Sequence, residues 1–197
     1  MLFKNKRRVV IVLVSIFLLL LYFSRNLFIA IPFLIAVVAL LLFGYIDRSF
    51  KLNFPDGFYV FIFIIFILGT IIGGSTPFAL YYRIILFDKI LHFISPIMGS
   101  AIVFYILDRL GISLKWKLLM TVGLVFGILG LFEIGEYLSD VFFGTLHQGV
   151  YLMDFAELVK YEVISEPIDD TMWDLILGLF GSSVFAGYKY FESKFRK

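Results

Sequence analysis

The chain has 197 residues, of which 61% are hydrophobic and 16% are charged, and its formal net charge is +2. Soluble domains average roughly 45–50% apolar and 25% charged residues, and one domain of this length cannot bury so much apolar surface away from water. The composition excludes a soluble domain, a disordered chain and a nucleic-acid-binding protein, and it predicts a protein that lies in lipid. The absence of Cys excludes disulfides, thiolate metal sites and a Cys nucleophile.

Six apolar segments are candidates for membrane-spanning helices, each of which needs about 20 residues. They are residues 9–23, 27–46, 58–74, 88–107, 118–138 and 171–191. The first segment follows basic residues, as a signal peptide does, but no small-residue cleavage pattern comes after it. We predict that it is a retained helix. Only three residues separate it from the second segment, so one long helix through both is the alternative.

The distribution of Lys and Arg favours six spans. With both termini in the cytoplasm, only Arg25, Arg83, Lys89 and Lys160 fall outside, which leaves 13 of the 17 basic residues on the cytoplasmic side. Merging the first two spans would divide the basic residues almost evenly, against the usual cytoplasmic excess. We therefore expect an all-α, polytopic bundle that forms a single transmembrane domain over residues 1–197. In this topology 11 of the 15 acidic residues lie on the outer half.

Most predicted connections are short turns, such as those containing Pro55 and Gly111. Residues 78–87 combine aromatic side chains with Arg83, which suits the lipid headgroup region at the outer interface. The longest loop, residues 139–170, contains a segment at 150–161 whose apolar and charged residues alternate with helical period. This pattern predicts an interfacial helix, with a lid packed on the bundle as the alternative. His147 and Gln148 in the same loop either cap a site or are simply solvated.

Ionisable residues occur in pairs near one end of each of the last three predicted spans. The pairs are Asp88 with His92, Glu133 with Glu136, and Asp170 with Asp174. A spacing of three or four residues puts both members of a pair on one helix face. Because the fourth and sixth spans start at the outer surface and the fifth ends there, we expect the three pairs to meet at one depth. Four glycines of the fifth span, at 123, 127, 130 and 135, predict close helix approach.

A group of ionisable residues inside a membrane needs a partner, because each one costs about 2.5–3.5 kcal/mol there. Three interpretations remain open: a bound divalent cation, a protonated hydrogen-bonded cluster that fixes helix register, and an ion or proton pathway. In the first, His92 supplies nitrogen and Asp88, Asp170 and Asp174 supply oxygen, with Glu133 and Glu136 as further possible oxygen ligands. Mixed His and carboxylate ligands suit Zn²⁺ or Mn²⁺, whereas an oxygen-rich set suits Mg²⁺ or Ca²⁺.

Three motifs together resemble those of the YjdF-like family of bacterial and archaeal inner-membrane proteins. They are Asp88-Lys89-x-x-His92-Phe93, Glu133-x-x-Glu136-Tyr137 and Asp170-Thr171-x-Trp173-Asp174-Leu175. The resemblance covers residues 80–185 and extends more distantly to VanZ-like proteins, which are associated with glycopeptide resistance and the cell envelope. It implies a multi-pass membrane protein whose functional polar positions are those of the three motifs. This chain departs from the family at 166–169, where Glu-Pro-Ile-Asp replaces the usual Gly-Asp.

These observations lead us to expect a metal-dependent hydrolase or transferase in the cell membrane, with its site near the outer leaflet. A cation there would polarise a phosphoryl or acyl oxygen and activate bound water, with Glu133 or Glu136 as general base. Arg83 and Lys89 would hold an anionic headgroup. The expected substrate, a lipid or lipid-linked envelope precursor, follows from the depth of the site and from the resemblance.

Two other functions stay open. A cation or proton transporter would need polar residues along its path, and the inner half of the predicted bundle offers only Gly, Ser100 and Thr121. A non-catalytic partner protein would use the acidic outer face for docking. The oligomeric state is not predicted.

Overall fold

The protein is described by a computed structural model that covers residues 14, 16, 27–72, 80–144, 146–153 and 161–195, most of which are helical. The first predicted span, residues 9–23, lies outside this coverage except for Val14 and Ile16, which are helical. The chain divides into two compact units, Met1–Leu80 and Tyr81–Lys197.

The first unit contains a helical hairpin. Helix α1 is Leu27–Ser49, and helix α2 is Asp56–Phe66, which continues as a π-helix over Ile67–Ile72. The buried carboxylate of Asp47 fixes the turn between them, because it accepts hydrogen bonds from the Tyr59 hydroxyl at 2.6 Å and the Phe54 amide at 3.0 Å. The structure thus confirms helices at the second predicted span and at the described part of the third.

The second unit contains three long helices and a β-hairpin. After a 3₁₀ turn at Leu80–Tyr82, the elements are α3 (Phe87–Leu107), a 3₁₀ turn (Asp108–Leu110), α4 (Leu114–Phe143), β1 (Val150–Met153), β2 (Tyr161–Ser165) and α5 (Pro167–Phe195). The fourth, fifth and sixth predicted spans are therefore helical. Among the described residues, the two segments Phe87–Leu110 and Leu114–Phe143 are long and apolar enough to cross a membrane.

The three long helices pack against one another in a defined register. Aromatic contacts of Phe93 with Phe180 and of Phe104 with Phe185 show that α3 and α5 run in the same direction. α4 follows α3 through a short turn at Gly111, whose φ of 67° lies in the left-handed region that suits glycine. The starts of α3 and α5 therefore lie beside the end of α4, as the predicted topology requires.

Glycines on α5 allow the bundle to pack closely. A Cβ atom at Gly181 would overlap the carbonyl oxygen of Phe93 on α3, and one at Gly178 would overlap the end of the Leu129 side chain on α4. By contrast, a Cβ atom at any of the four glycines of α4 would meet nothing within 4 Å among the described residues. The expectation that the α4 glycines mediate close approach is therefore wrong for the described bundle, and the α5 glycines take this role.

The prediction of an interfacial helix at 150–161 is also wrong for the residues of this segment that the structure describes. Val150–Met153 forms a strand that pairs antiparallel with Tyr161–Ser165, and residues 154–160 lie outside the described part. A short apolar run does not distinguish helix from strand by its period alone, and β-branched and aromatic residues favour the pleated strand. Val150 and Tyr151 are buried, so the hairpin packs its first strand inward.

The glycine contacts predict an order of stability for three alanine variants. We expect Gly181→Ala to destabilise the protein by about 1–3 kcal/mol, because the new methyl group meets backbone that cannot rotate away. Gly178→Ala should cost less, since the Leu129 side chain can change rotamer. Gly127→Ala is the matched control and should be neutral or stabilising by up to about 1 kcal/mol, because alanine favours helix.

Thermal unfolding of the full-length variants in detergent measures this order. Equal melting temperatures for the Gly181→Ala and Gly127→Ala variants would contradict the described packing of α3 against α5.

Candidate functional site

The Lys89 side chain is the centre of a charged cluster formed by Asp88, Lys89, His92, Glu133, Asp170 and Asp174. Its ammonium group lies 2.8 Å from both carboxylate oxygens of Asp174 and 3.2 Å from Asp88 Oδ2, and it also pairs with Asp170 Oδ1. Asp88 and Lys89 belong to the first turn of α3, and the two other aspartates belong to the start of α5. One cation therefore ties together the starts of two helices.

His92 of α3 connects the charged cluster to a residue of α4. Its Nε2 atom lies 3.4 Å from Asp88 Oδ1, one turn earlier on α3. Its Nδ1 atom lies 3.6 Å from Glu133 Oε1 on α4 and 3.8 Å from Asp174 Oδ1 on α5. The predicted convergence of the three polar helix faces is thus what the structure shows.

Two atoms of the charged cluster are buried without a hydrogen-bond partner among the described residues, namely His92 Nδ1 and Glu133 Oε1. The two residues are 7% and 4% exposed, and their separation of 3.6 Å is too long for a hydrogen bond. A buried polar atom without a partner costs about 1–3 kcal/mol, so such atoms in native proteins call for a bound water, ion or ligand.

Asp88, His92 and Asp174 have the geometry of a candidate metal site. Each offers one ligand atom, and these three atoms all lie within 4.8 Å of one another. Ligands at about 2.1 Å from a tetrahedral Zn²⁺ are roughly 3.4 Å apart, so the side chains would need to close by on the order of 1 Å. The donor set of one imidazole and two carboxylates fits Zn²⁺ or Mn²⁺.

The other predicted site residues occupy different positions around this trio. Asp170 is buried and pairs with Lys89 rather than with His92. Glu136 is half-buried one turn beyond Glu133 on α4. Arg83 is exposed in the turn that precedes α3. The Lys89 ammonium, which we expected to bind a headgroup, faces the aspartates.

The loop before β1 is attached to the charged cluster. The Gly149 amide donates a hydrogen bond of 2.8 Å to Asp170 Oδ2, and the Gln148 side chain donates one of 2.9 Å to the Thr171 hydroxyl. Both carboxylate oxygens of Asp140 accept backbone amide bonds from His147 and Gln148. The loop therefore joins the end of α4 to the start of α5. It contacts the charged cluster through the backbone amide of Gly149, next to the predicted capping residues His147 and Gln148.

Tyr81, one of the aromatic residues of segment 78–87 that we expected at the lipid interface, is a neighbour of the charged cluster. Its ring packs edge-on against Phe87, with centroids 5.2 Å apart. Burial raises the pKa of Tyr81, and the negative charges of Asp88, Glu136 and Asp174 raise it further. The phenol thus stays protonated and can donate a hydrogen bond. In the sequence, Tyr81-Tyr82-Arg83 fits a position at the lipid interface as well as one beside the charged cluster. The sequence alone therefore did not predict that Tyr81 lies near the site.

Buried hydroxyl residues lie deeper in the same bundle, at more than one level. Ser100 on α3, Thr121 on α4 and Ser182 on α5 are fully buried. The register of α3 and α5 places Ser100 and Ser182 at one level, eight residues or about 12 Å along the axis from His92 and Asp174. The hydroxyl groups of Ser100 and Thr121 have no hydrogen-bond partner among the described residues.

Comparison with known families agrees with the resemblance seen in the motifs. Residues 6–194 match the model of a family described as "Predicted membrane protein (DUF2238)", which is the YjdF-like family. The chain belongs to this family. No curated protein and no solved structure matches it, and nothing supports the more distant likeness to VanZ-like proteins.

The contacts of Lys89 predict a strong coupling with Asp174. Asp174→Asn should destabilise the metal-free protein by about 1–3 kcal/mol, because it weakens the charge-assisted hydrogen bonds of a cation that keeps Asp88 and Asp170 as partners. The double variant Lys89→Met/Asp174→Asn should lose less stability than the sum of the two single variants, because the contact between the two residues can be lost only once. Thermal unfolding in detergent with a chelator measures the cycle.

The pair of Lys117 with Asp108 is the matched control, since the Lys117 side chain is 15% exposed, close to the 17% of Lys89, whereas Asp108 is 59% exposed. Breaking it by Asp108→Asn should cost about 0–1 kcal/mol. Additive effects of the Lys89 and Asp174 changes would contradict the ion pair.

Proposed function

We propose that this protein is a multi-pass inner-membrane protein that binds a divalent cation through the charged cluster and uses it for hydrolysis or group transfer. The proposed substrate is a lipid or lipid-linked molecule of the cell envelope that reaches the site from the outer leaflet. Membrane lipids are its expected surroundings. The observation that carries the proposal is the convergence of Asp88, His92 and Asp174, with His92 Nδ1 and the nearby Glu133 Oε1 both buried and without a hydrogen-bond partner in the described part of the chain.

The charge balance of the charged cluster supports a cation. With every carboxylate ionised, Asp88, Glu133, Asp170 and Asp174 carry four negative charges against the one positive charge of Lys89, and His92 must be neutral to bind a metal. Like charges close together in a medium of low dielectric constant are unfavourable. A divalent cation would compensate two of the three negative charges that remain.

The roles of the carboxylates follow from where each one lies. Asp88, His92 and Asp174 would hold the cation, which supplies Lewis-acid activation of a phosphoryl or acyl oxygen and of water. Glu133 has one oxygen that finds no hydrogen-bond partner among the described residues, so it can accept a proton from that water. Glu136 is the second candidate for this role. The Tyr81 phenol is a neutral donor near the same residues.

Metal binding by purified protein tests the proposal. We expect the full-length protein to bind about one Zn²⁺ or Mn²⁺ per chain, because one trio is present among the described residues. His92→Gln and Asp174→Asn should each weaken binding at least about tenfold, since each removes one ligand. Isothermal titration in detergent, after treatment with a chelator, measures the affinity.

His147→Gln is the matched control, because His147 is exposed and only its backbone amide contacts Asp140. It should bind the metal as the wild type does. Failure of Zn²⁺, Mn²⁺ and Mg²⁺ to bind or to raise the melting temperature of the wild type would refute the proposal.

The proposed topology has its own test. Reporter fusions within the loop between α4 and α5 should report the outer side of the membrane, and fusions at the Asp108–Lys117 turn should report the cytoplasm. The reverse pattern would put the charged cluster at the wrong surface for an envelope substrate.

A transporter for cations or protons is the second candidate, and the buried hydroxyl residues are the observation that favours it. Ser100, Thr121 and Ser182 continue the polar interior toward the opposite end of the bundle. Reconstituted protein would then release Zn²⁺ or protons from liposomes, and Thr121→Val would slow the release without changing metal affinity. Protein-dependent flux at the level of empty liposomes would dismiss this candidate.

A further inference from the structure

Lys89 already holds the carboxylate that the proposed metal site requires. Both oxygens of Asp174 lie 2.8 Å from the ammonium nitrogen. Asp174 Oδ1 is also the oxygen that lies 3.8 Å from His92 Nδ1. The same carboxylate therefore faces a permanent internal cation and the candidate trio.

A metal ion and the ammonium group compete for this carboxylate. A metal–oxygen distance of about 2.1 Å brings the ion to within a few ångströms of any cation bonded to the same oxygens. Two positive charges at such a distance repel each other, most strongly where water is scarce. The Lys89 side chain is 17% exposed, so solvent reduces this repulsion only in part.

Lys89 has other partners to which it can withdraw. Asp88 Oδ2 lies 3.2 Å from the ammonium group, and Asp170 Oδ1 already pairs with it. Asp170 is held from its other oxygen by the Gly149 amide, so it stays in place when Lys89 moves. The flexible stem of Lys allows the ammonium to leave Asp174 without motion of the helix.

We propose that Lys89 is a built-in competitor of the divalent cation, which must displace the ammonium group from Asp174 before it binds. This inference rests on the proposed function, and it concerns how occupancy of the same site is controlled. In the metal-free protein the ammonium group compensates the charge of the Asp174 carboxylate. The free energy needed to displace it sets the metal concentration at which the site fills.

Removing the ammonium group should therefore tighten metal binding. We expect Lys89→Met to bind Zn²⁺ about 5- to 150-fold more tightly than the wild type, the range typical of coupling between two ligands. Lys89→Arg keeps the charge and should bind no more tightly than the wild type. Lys117→Met is the control for loss of a positive charge elsewhere, because Lys117 pairs with exposed Asp108, and it should leave affinity unchanged.

Isothermal titration of the full-length proteins in detergent measures these affinities. A second measurement uses the wild type alone, so that it does not depend on the folding of a variant. Amine-reactive labelling of Lys89, read by mass spectrometry, should proceed at least about twofold faster in saturating Zn²⁺, while labelling of Lys117 stays constant.

The outcomes separate this inference from the proposed function. Metal binding by the wild type with equal or weaker affinity in Lys89→Met, and no change in labelling, would overturn the competition and leave the metal site standing. Absence of metal binding in both proteins would overturn the metal site itself.

Discussion

A carboxylate inside a helix bundle needs a positive charge beside it, and in this protein Lys89 supplies that charge to two helices at once. Its ammonium group joins α3 to Asp170 and Asp174 at the start of α5. His92, one turn further along α3, then faces Glu133 of α4. Loss of the Lys89 contacts would leave the aspartates of α5 without their compensating charge in the metal-free protein.

Close packing in the apolar part of the bundle brings the charged residues near enough to pair. Gly181 lets α5 lie against the backbone of α3, and Gly178 leaves room for the Leu129 side chain of α4 beside Pro96. Larger residues at these positions would move α5 outward and lengthen the contacts of Asp174, which is only one turn away from Gly178 along the helix. Packing and electrostatics therefore depend on each other: close approach of the helices shortens the ion pairs, and the ion pairs set the register of the helices.

Much of this arrangement could be predicted from the sequence, because period and topology determine it. The spacing of Asp88 with His92 and of Asp170 with Asp174 put each pair on one helix face, and alternating helix directions put the faces at one end. Side-chain partners within the site are less predictable. Nothing in the spacing distinguishes a Lys89 that faces Asp174 from one that faces a lipid headgroup, because the flexible Lys side chain reaches both. The strand at Val150–Met153 was missed because its pairing partner lies eight residues or more away in sequence and leaves no local period.

The glycines also show a limit to what the sequence predicts about contacts between helices. Those of α4 have the stronger pattern in the sequence, yet those of α5 make the close contacts, because which face of a helix meets a neighbour depends on the whole bundle. Family membership extends over residues 6–194 and agrees with a membrane protein. It assigns no chemistry to the charged cluster, so the chemical argument comes from the distances and from the atoms without partners.

The most direct test of the central contact is a distance measured in lipid. Solid-state NMR on metal-free protein in bilayers, with ¹⁵N-labelled Lys and ¹³C-labelled Asp, detects dipolar coupling between the Lys89 side-chain nitrogen and the Asp174 carboxyl carbon. The account predicts a coupling that corresponds to about 4 Å or less, as in an ion pair, and its loss in the Asp174→Asn variant. A Lys89 nitrogen that shows no coupling to any Asp carboxyl carbon would contradict the account.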